Sequence, residues 1–256
     1  MSQQQPVYRR VILKLSGEAL KGQKDFGHDA EIINSICRQI HEVHQLGVQI
    51  GIVVGAGNIF RGTSEAAAAM NRTVADQIGM LGTLINAMTL QAAFERMAVP
   101  TRVMSAIEIS AVAERYIRRR ALRHMEKGRI VIFACGTGNP FFSTDTAGAL
   151  RAKELEADVL LKATNVDGIY TADPRKNPDA RRYEHITFRE VLDQGLRVMD
   201  TAAFAMCHED GLPIIVFDLH RDGNIRRVVL GEQIGTVVSL HAPASSSHST
   251  QEPLHV

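Results

Sequence analysis

Short β-branched and aliphatic runs alternate along the chain with longer stretches of helical periodicity. Arg10–Leu15, Ile50–Val54, Thr101–Met104, Ile130–Phe133, Val159–Leu161, Ile214–Phe217 and Thr236–Val238 read as strands. Continuous apolar content such as Val131-Ile132-Phe133 suits strands covered on both faces, as in a parallel sheet. Helical patterns fill Ala30–Leu46, Thr73–Ala98, Ala111–Glu126, Thr146–Glu156 and Thr201–Asp210. This alternation predicts an α/β fold with helices on both sides of one sheet. Thr164 to Ile186 breaks the rhythm: it is polar, carries Pro174 and Pro178, and holds Arg175, Lys176, Arg181 and Arg182. A loop of that length inside a compact domain is usually functional. There is no internal repeat. Residues 1–241 read as one domain, and 242–256, with Ser245-Ser246-Ser247, as a disordered tail without a chemical role.

Composition narrows the class only modestly. At 256 residues the chain is at the upper end for one domain and long enough to bury a large core. The apolar fraction of 45% and charged fraction of 22% are those of an ordinary globular protein. A net charge of +1 provides no broad field for nucleic acid or an anionic membrane, and neither is expected as a partner. No signal-peptide pattern opens the chain, and no run approaches the roughly 18 apolar residues of a membrane span. Cys37, Cys135 and Cys207 are odd in number and widely spaced, which suits buried thiols in a reducing cytoplasm. No spacing suggests a metal site; His28, His41, His44 and His124 read as ordinary surface histidines.

Four segments leave strands carrying what an anion site needs, at the sheet edge where parallel α/β folds bind ligands. The first is Lys14-Leu15-Ser16-Gly17, where Lys14 supplies a point charge and Gly17 can take positive φ and let the backbone approach a phosphate. The order of a P-loop is absent. The second is Gly55-Ala56-Gly57-Asn58-Ile59-Phe60-Arg61-Gly62, whose small residues let N–H groups converge and whose Arg61 adds a bidentate donor. A dinucleotide fingerprint would require glycine where Phe60 stands, which disfavours a nicotinamide dehydrogenase. The third is Gly136-Thr137-Gly138-Asn139-Pro140-Phe141-Phe142-Ser143-Thr144-Asp145, ending in a carboxylate placed to cap the next helix. An uncompensated Asp145 there would compete with a bound phosphate, and Lys162 is available as its partner. The fourth is Lys162 to Pro174. Two glycine-rich anion sites and two lysines suit a reaction that joins two phosphate-bearing molecules.

These segments resemble, in order and spacing, the bacterial UMP kinases of the amino acid kinase superfamily. The likeness runs from about Tyr8 to Leu240 and includes Val198-Met199-Asp200 and Arg227-Val228-Val229. It implies a three-layer α/β/α sandwich around a largely parallel sheet, with transfer of the ATP γ-phosphoryl group to UMP in pyrimidine nucleotide synthesis. By that resemblance Lys14, Leu15, Ser16, Gly17 and Gly57 hold ATP phosphates, Arg61 lies between the two nucleotides, and Thr164, Asn165, Tyr170 and Asp173 form the adenosine pocket. The UMP side comprises Gly55, Ala56, Asp76 and the run Thr137, Gly138, Asn139, Pro140, Phe141, Phe142, Ser143 and Thr144. Ala56 replaces a glycine common in the family pattern and leaves slightly less room. Asp76, near a helix start, is the ribose-hydroxyl acceptor of that reading; Asp200 is not assigned to the site.

The acceptor is a phosphate oxygen, and a nucleoside monophosphate with a second pKa of about 6 is mostly dianionic at neutral pH. Catalysis then rests on positioning and charge neutralisation, with no catalytic base. Lys14, Arg61 and Lys162 are the expected neutralising groups and Asp145 the group that orients the lysines. Mg²⁺ is expected to arrive with ATP, held by phosphate oxygens and water. The resemblance also implies a homohexamer activated by GTP and inhibited by UTP. Gly22, Gly27, Arg102 and Arg129 match the GTP-control pattern, whereas Gln91, Glu95 and Arg118 depart from it. The Arg118-Arg119-Arg120 cluster with Arg123 is either an effector-phosphate site or a solvated helix face. Rival readings are phosphorylation of carbamate or an amino acid carboxylate, and a non-catalytic nucleotide-binding protein.

Overall fold

The computed structural model describes residues 5–60, 69–174 and 176–242. Arg61, Arg175 and all of the tail expected to be disordered except Ala242 lie outside them. The strands are β1 (Arg10–Leu15), β2 (Gln49–Val54), β3 (Thr101–Ser105), β4 (Glu114–Arg115), β5 (Ile130–Ala134), β6 (Val159–Thr164), β7 (His185–Thr187), β8 (Ile214–Asp218) and β9 (Thr236–Ser239). The helices are α1 (Ala30–His44), α2 (Arg72–Arg96), α3 (Arg118–Glu126), α4 (Thr144–Glu154), α5 (Phe188–Asp193), α6 (Thr201–Asp210) and α7 (Asn224–Val229). A 3₁₀ turn spans Gly17–Leu20.

The strands form one sheet in the order β4-β3-β5-β2-β1-β6-β8-β9-β7. All neighbours are parallel except β8 and β9. The chain passes from β1 to β2 on one side and later crosses from β5 to β6 on the other side of β1, so the strand order reverses there. That reversal opens a crevice at the carboxyl ends of β1, β2 and β6, where α/β sheets bind ligands.

Period-two alternation divides the core. Val11, Leu13 and Leu15 point to one face and pack with Ile36 and Ile40 of α1, Leu84 and Phe94 of α2 and Val229 of α7. Ile12, Phe133 and Leu160 point to the other and pack with Ala152 of α4, Phe188 of α5 and Phe204 of α6. Each such fully buried side chain contributes roughly 1.5–3 kcal/mol. Helices therefore cover both faces, as the strand and helix periodicities require. Lys14 lies in register with Lys162 on the adjacent strand. By parity both belong to the Ile12–Leu160 face, the face that α4 covers. Gly148 of α4 packs on the aliphatic stem of Lys14, where an added Cβ would lie 3.7 Å from it.

Two expectations need correction, and one open possibility is not used. The helix expected over Ala111–Glu126 begins only at Arg118, because Glu114–Arg115 pairs with β3 and the Tyr116 N–H bonds the Ser105 carbonyl at 2.8 Å. Ser143, not Asp145, caps α4: its Oγ accepts from the N–H groups of Asp145 and Thr146 at 2.9 and 3.2 Å. Gly17 does not take positive φ. Its missing side chain instead admits the Gly55 carbonyl and the Asn58 amide, which would lie 2.5 and 2.6 Å from a Cβ. The segment from Thr164 is irregular until β7 and is pinned by a bridge between Tyr170 and Arg182. All three cysteines are buried and free. Of the four histidines read as surface residues, all are half-buried. His28 bonds the buried Asn86 through Nε2 at 2.6 Å.

Candidate active site

The sheet register places two ammonium groups side by side, and the start of α4 supplies the carboxylate between them. Asp145 Oδ1 lies 2.7 Å from Lys14 Nζ, and Oδ2 accepts from Lys162 Nζ at 2.6 Å. All three side chains are 13–14% exposed. Burial works against the Asp145 carboxylate, but the charges of Lys14 and Lys162 outweigh it and hold its pKa below the ordinary value. Lys162 shifts downward for a different reason: burial penalises its ammonium, Asp145 offsets part of that, and Lys14 adds repulsion. The triad carries a surplus positive charge in a poorly hydrated place, which an incoming polyanion would neutralise.

Asp200, unassigned in the sequence reading, secures this arrangement. Its carboxylate accepts from the Ser143 hydroxyl and, at 2.9 and 3.0 Å, from Thr146 Oγ1, while capping α6 through the Ala203 N–H. Nearby, the Val198 carbonyl accepts from Lys162 Nζ at 2.6 Å. The Asp-Thr pair opening a helical pattern was the available signal.

Next to the triad lies a cavity of about 520 Å³, within the range of roughly 300–1,000 Å³ typical of small-ligand sites. Ala56, Gly57, Asp76, Asn139, Phe142, Ser143 and Thr144 line it together with Glu18, Phe60 and Thr83. Gly55 faces the Thr144 hydroxyl: an added Cβ would lie 3.4 Å from it. The Ala56 Cβ packs against Gly82 of α2, where a second Cβ would be only 2.9 Å away. The loop from Cys135 to Phe141 is held in unusual backbone. Gly136 and Gly138 have φ of 58° and 84°, and Cys135 and Phe141 reach 61° and 73°. Thr137 Oγ1 accepts the Asn139 N–H at 3.2 Å, Pro140 continues the turn, and the Phe141 N–H donates to Asp76 Oδ2 at 2.7 Å. Arg72 lies over the Phe141 ring at 5.0 Å and 3.5 Å from Asp76.

The other expected residues fall on neighbouring loops. Leu15 is buried, with its carbonyl bonded by the Gly55 N–H at 2.9 Å, and Ser16 precedes the 3₁₀ turn without capping it. Asn165 pairs with His220 at 3.0 Å and borders a second cavity of about 450 Å³ with Gly22 and Glu18. Glu18 thus stands between the two cavities. Thr164 Oγ1 accepts the Val166 N–H at 3.0 Å, and the Tyr170 hydroxyl donates to Asp167 at 2.8 Å. The Asp173 carbonyl receives the Lys176 and Asn177 N–H groups. Asn58 and Asn86, given no role of their own in the sequence reading, bond each other, the Gly55 carbonyl and the Gly27 carbonyl at 2.7–3.0 Å. They tie the loops after β1 and β2 to α2.

The expected effector residues divide. Gly22 and Gly27 lie on the loop after the 3₁₀ turn, whereas Arg102 borders a separate cavity of about 640 Å³ with Gln91, Glu114 and Arg120. Arg129 bonds His124 at 2.8 Å, and His124 reaches Glu114 at 3.0 Å. Gln91 and Glu95 bond each other, and Arg118 bonds the Glu154 carbonyl and the Glu156 carboxylate.

The amino acid kinase family model matches residues 9–218. The chain belongs to the amino acid kinase family. Solved structures agree with this membership. The UMP kinase from Bacillus anthracis is 40% identical with a TM-score of 0.89, over 92% of this chain and 97% of that one. The UMP kinase from Ureaplasma parvum is 37% identical with a TM-score of 0.86, over 90% and 98%. The uridylate kinase from Archaeoglobus fulgidus is 29% identical with a TM-score of 0.69, over 90% and 99%. Within this family fold, the Lys14–Asp145–Lys162 triad sits at the crevice where strand order reverses.

Proposed function

We infer that the chain is a UMP kinase, transferring the γ-phosphoryl group of ATP to the 5′-phosphate of UMP. The observation that carries this is the Lys14–Asp145–Lys162 triad, whose Asp145 directly follows Thr144 in the lining of the 520 Å³ cavity, in a chain so similar to two bacterial UMP kinases. In the proposed mechanism UMP occupies that cavity, with Asp76 toward the ribose and the 136–144 loop around its phosphate. ATP lies across the loops after β1 and β6, and Glu18 marks the boundary between the nucleotides. Lys14 and Lys162 neutralise charge on the transferred group, while Asp145 fixes where they point. The dianionic acceptor attacks without a base, so positioning and charge supply the rate. Arg61 is assigned to both nucleotides on sequence resemblance alone.

The donor set fits a metal carried by the nucleotide. Among the described residues no group of three His, Cys, Asp or Glu side chains could hold an ion, and the reacting centre is cationic. Mg²⁺ would sit on ATP phosphate oxygens and water, where it supplies charge neutralisation.

A homo-oligomer, a hexamer on the family pattern, is supported by an apolar stripe on α2. Val74, Leu81, Ile85 and Met88 are 40–48% exposed and share one helix face. A second copy of the chain is the proposed occupant. GTP activation and UTP inhibition are proposed with it; the Arg102 cavity suits an anionic effector less well where Gln91 and Glu95 satisfy each other. A cytoplasmic location is consistent with three free thiols, and no helix among the described residues is long and apolar enough to cross a membrane.

The deciding experiment is ADP release with Mg-ATP and UMP, CMP, dUMP, AMP, carbamate or glutamate in parallel. Turnover chiefly with UMP is expected. Turnover with carbamate or glutamate would move the activity within the family, and ATP binding without any turnover would overturn the kinase reading.

A further inference from the structure

We propose that Arg151 is a positioning residue for the acceptor nucleotide, bracing the Cys135–Gly136 turn and connecting it to the Arg102 cavity through Tyr116. This rests on the UMP kinase reading. Arg151 lies on α4 two turns beyond its N-terminus, and its side chain is only 5% exposed. A guanidinium so buried needs partners on every side. Its Cζ sits 3.8 Å from the centroid of the Tyr116 ring, and Nη1 is 2.5 Å from Glu154 Oε2. The Tyr116 hydroxyl donates to the same oxygen at 2.6 Å. Nη2 reaches the Gly136 carbonyl at 3.4 Å. Nε has no acceptor among the described residues.

Gly136 opens the acceptor loop, and its neighbour Cys135 is held at φ 61°. An L residue stays in that left-handed region only where its surroundings over-determine it. The Cys135 N–H is fixed by Thr83 Oγ1 at 2.8 Å, and the Cys135 carbonyl accepts from Gly138 at 2.9 Å. Arg151 adds the restraint from α4, the helix that also carries Asp145. A separation of 3.4 Å is long for a charged donor, which usually works at about 2.7–2.9 Å. With Nε spare beside it, the guanidinium has donor capacity left for a turn drawn inward by the acceptor.

The opposite face of this contact leads elsewhere. Tyr116 directly follows β4, and Glu114, Arg115 and Ile117 on either side of it border the 640 Å³ cavity. A ligand there that displaced β4 would move the ring on which Arg151 lies. From that cavity to the acceptor turn is a path of two contacts.

The test measures kcat, KM for UMP, KM for ATP and the thermal midpoint in the full chain and in Arg151→Met and Arg151→Lys. Arg151→Met should raise KM for UMP about tenfold, as loss of a charged hydrogen bond implies, leaving kcat and KM for ATP within about threefold. Arg151→Lys, which keeps charge but not the planar stack, should recover part of that loss. An unchanged KM for UMP in the folded Met variant, or parallel decline of kcat and both KM values, overturns the proposal. Should Arg151→Met fail to fold, Tyr116→Leu decides, since it removes the ring and leaves the Arg151–Glu154 pair. A rise of about threefold or more in KM for UMP then supports the link, and no change overturns it. Absence of UMP turnover in the parent chain would instead sink the functional reading, so the two failures are distinguishable.

Discussion

The lysine–aspartate floor and the loops above it solve different problems with different kinds of structure. Lys14 and Lys162 stand on adjacent central strands, in register, on a face packed by α4, and Asp145 is fixed by the first turn of that helix. The floor therefore moves only if the sheet does. The 136–144 loop is more than half solvent-facing at Phe141 and Phe142, which are 61% and 53% exposed, and depends on left-handed backbone and scattered hydrogen bonds. Rigid elements hold reactive charges to the tolerance that transfer demands, whereas a loop can close around an acceptor and release the product. The floor should set rate, and the loops acceptor affinity.

The largest expected effect comes from breaking the floor at its centre. Asp145→Asn leaves two buried ammonium groups facing each other, a loss of about 3–5 kcal/mol in stability. The thermal midpoint should fall by on the order of 10 °C, with turnover nearly abolished; a midpoint within about 1 °C of the parent would contradict this. Lys162→Met keeps Asp145 paired with Lys14 and should be tolerated structurally. Its kcat should drop by about 10²–10³, the scale of one preorganised donor, and steady-state kinetics would show an unaltered KM for UMP.

Asp76→Asn tests the other region. It weakens the bond from the Phe141 N–H and the proposed ribose contact, so KM for UMP should rise by about 10–100-fold, equivalent to roughly 1.5–3 kcal/mol for a charged hydrogen bond. Here kcat should change little, and a fall in kcat at constant KM would place Asp76 with the floor. The smallest effect is in pH dependence. Because the folded pKa of Asp145 is depressed, its stabilisation is fully present above the ordinary carboxylate pKa and disappears only as pH falls through the depressed value. Stability should therefore hold through neutral pH and fall only in acid below the usual carboxylate range. Lys162 works at the other end: with a lowered pKa in the free protein it loses its proton before a free lysine would, so kcat/KM should decline at a lower alkaline pH than about 10.4. A kcat/KM profile in the parent chain and in Lys162→Met checks this, since the limb should vanish in the variant.

The same division explains what could be read without a structure. Buried strands such as Arg10–Leu15 and Ile130–Ala134 advertise themselves through unbroken apolar runs, and the strand-end glycines and lysines follow from them. Edge strands Glu114–Arg115 and His185–Thr187 are too short for any period to register. Whether Ser143 or Asp145 caps α4 depends on Lys14, more than a hundred positions away, which leaves Asp145 turned to the lysines. The Asn58–Asn86–His28 network joins residues 28 and 58 apart, again with no local trace. Asp200 was legible as a helix start, but its grip on Ser143 and Thr146 was not. Gly17 showed that a glycine is needed without showing why: close approach, not left-handed backbone.

The most direct test of the floor is a single-turnover measurement of phosphoryl transfer in Lys14→Met, with Mg-ATP and UMP both saturating. The predicted result is a chemical step slower by about 10²–10³ with UMP affinity unchanged. A transfer rate equal to the parent's, with weakened UMP binding instead, would contradict the account and assign Lys14 to the loops' task.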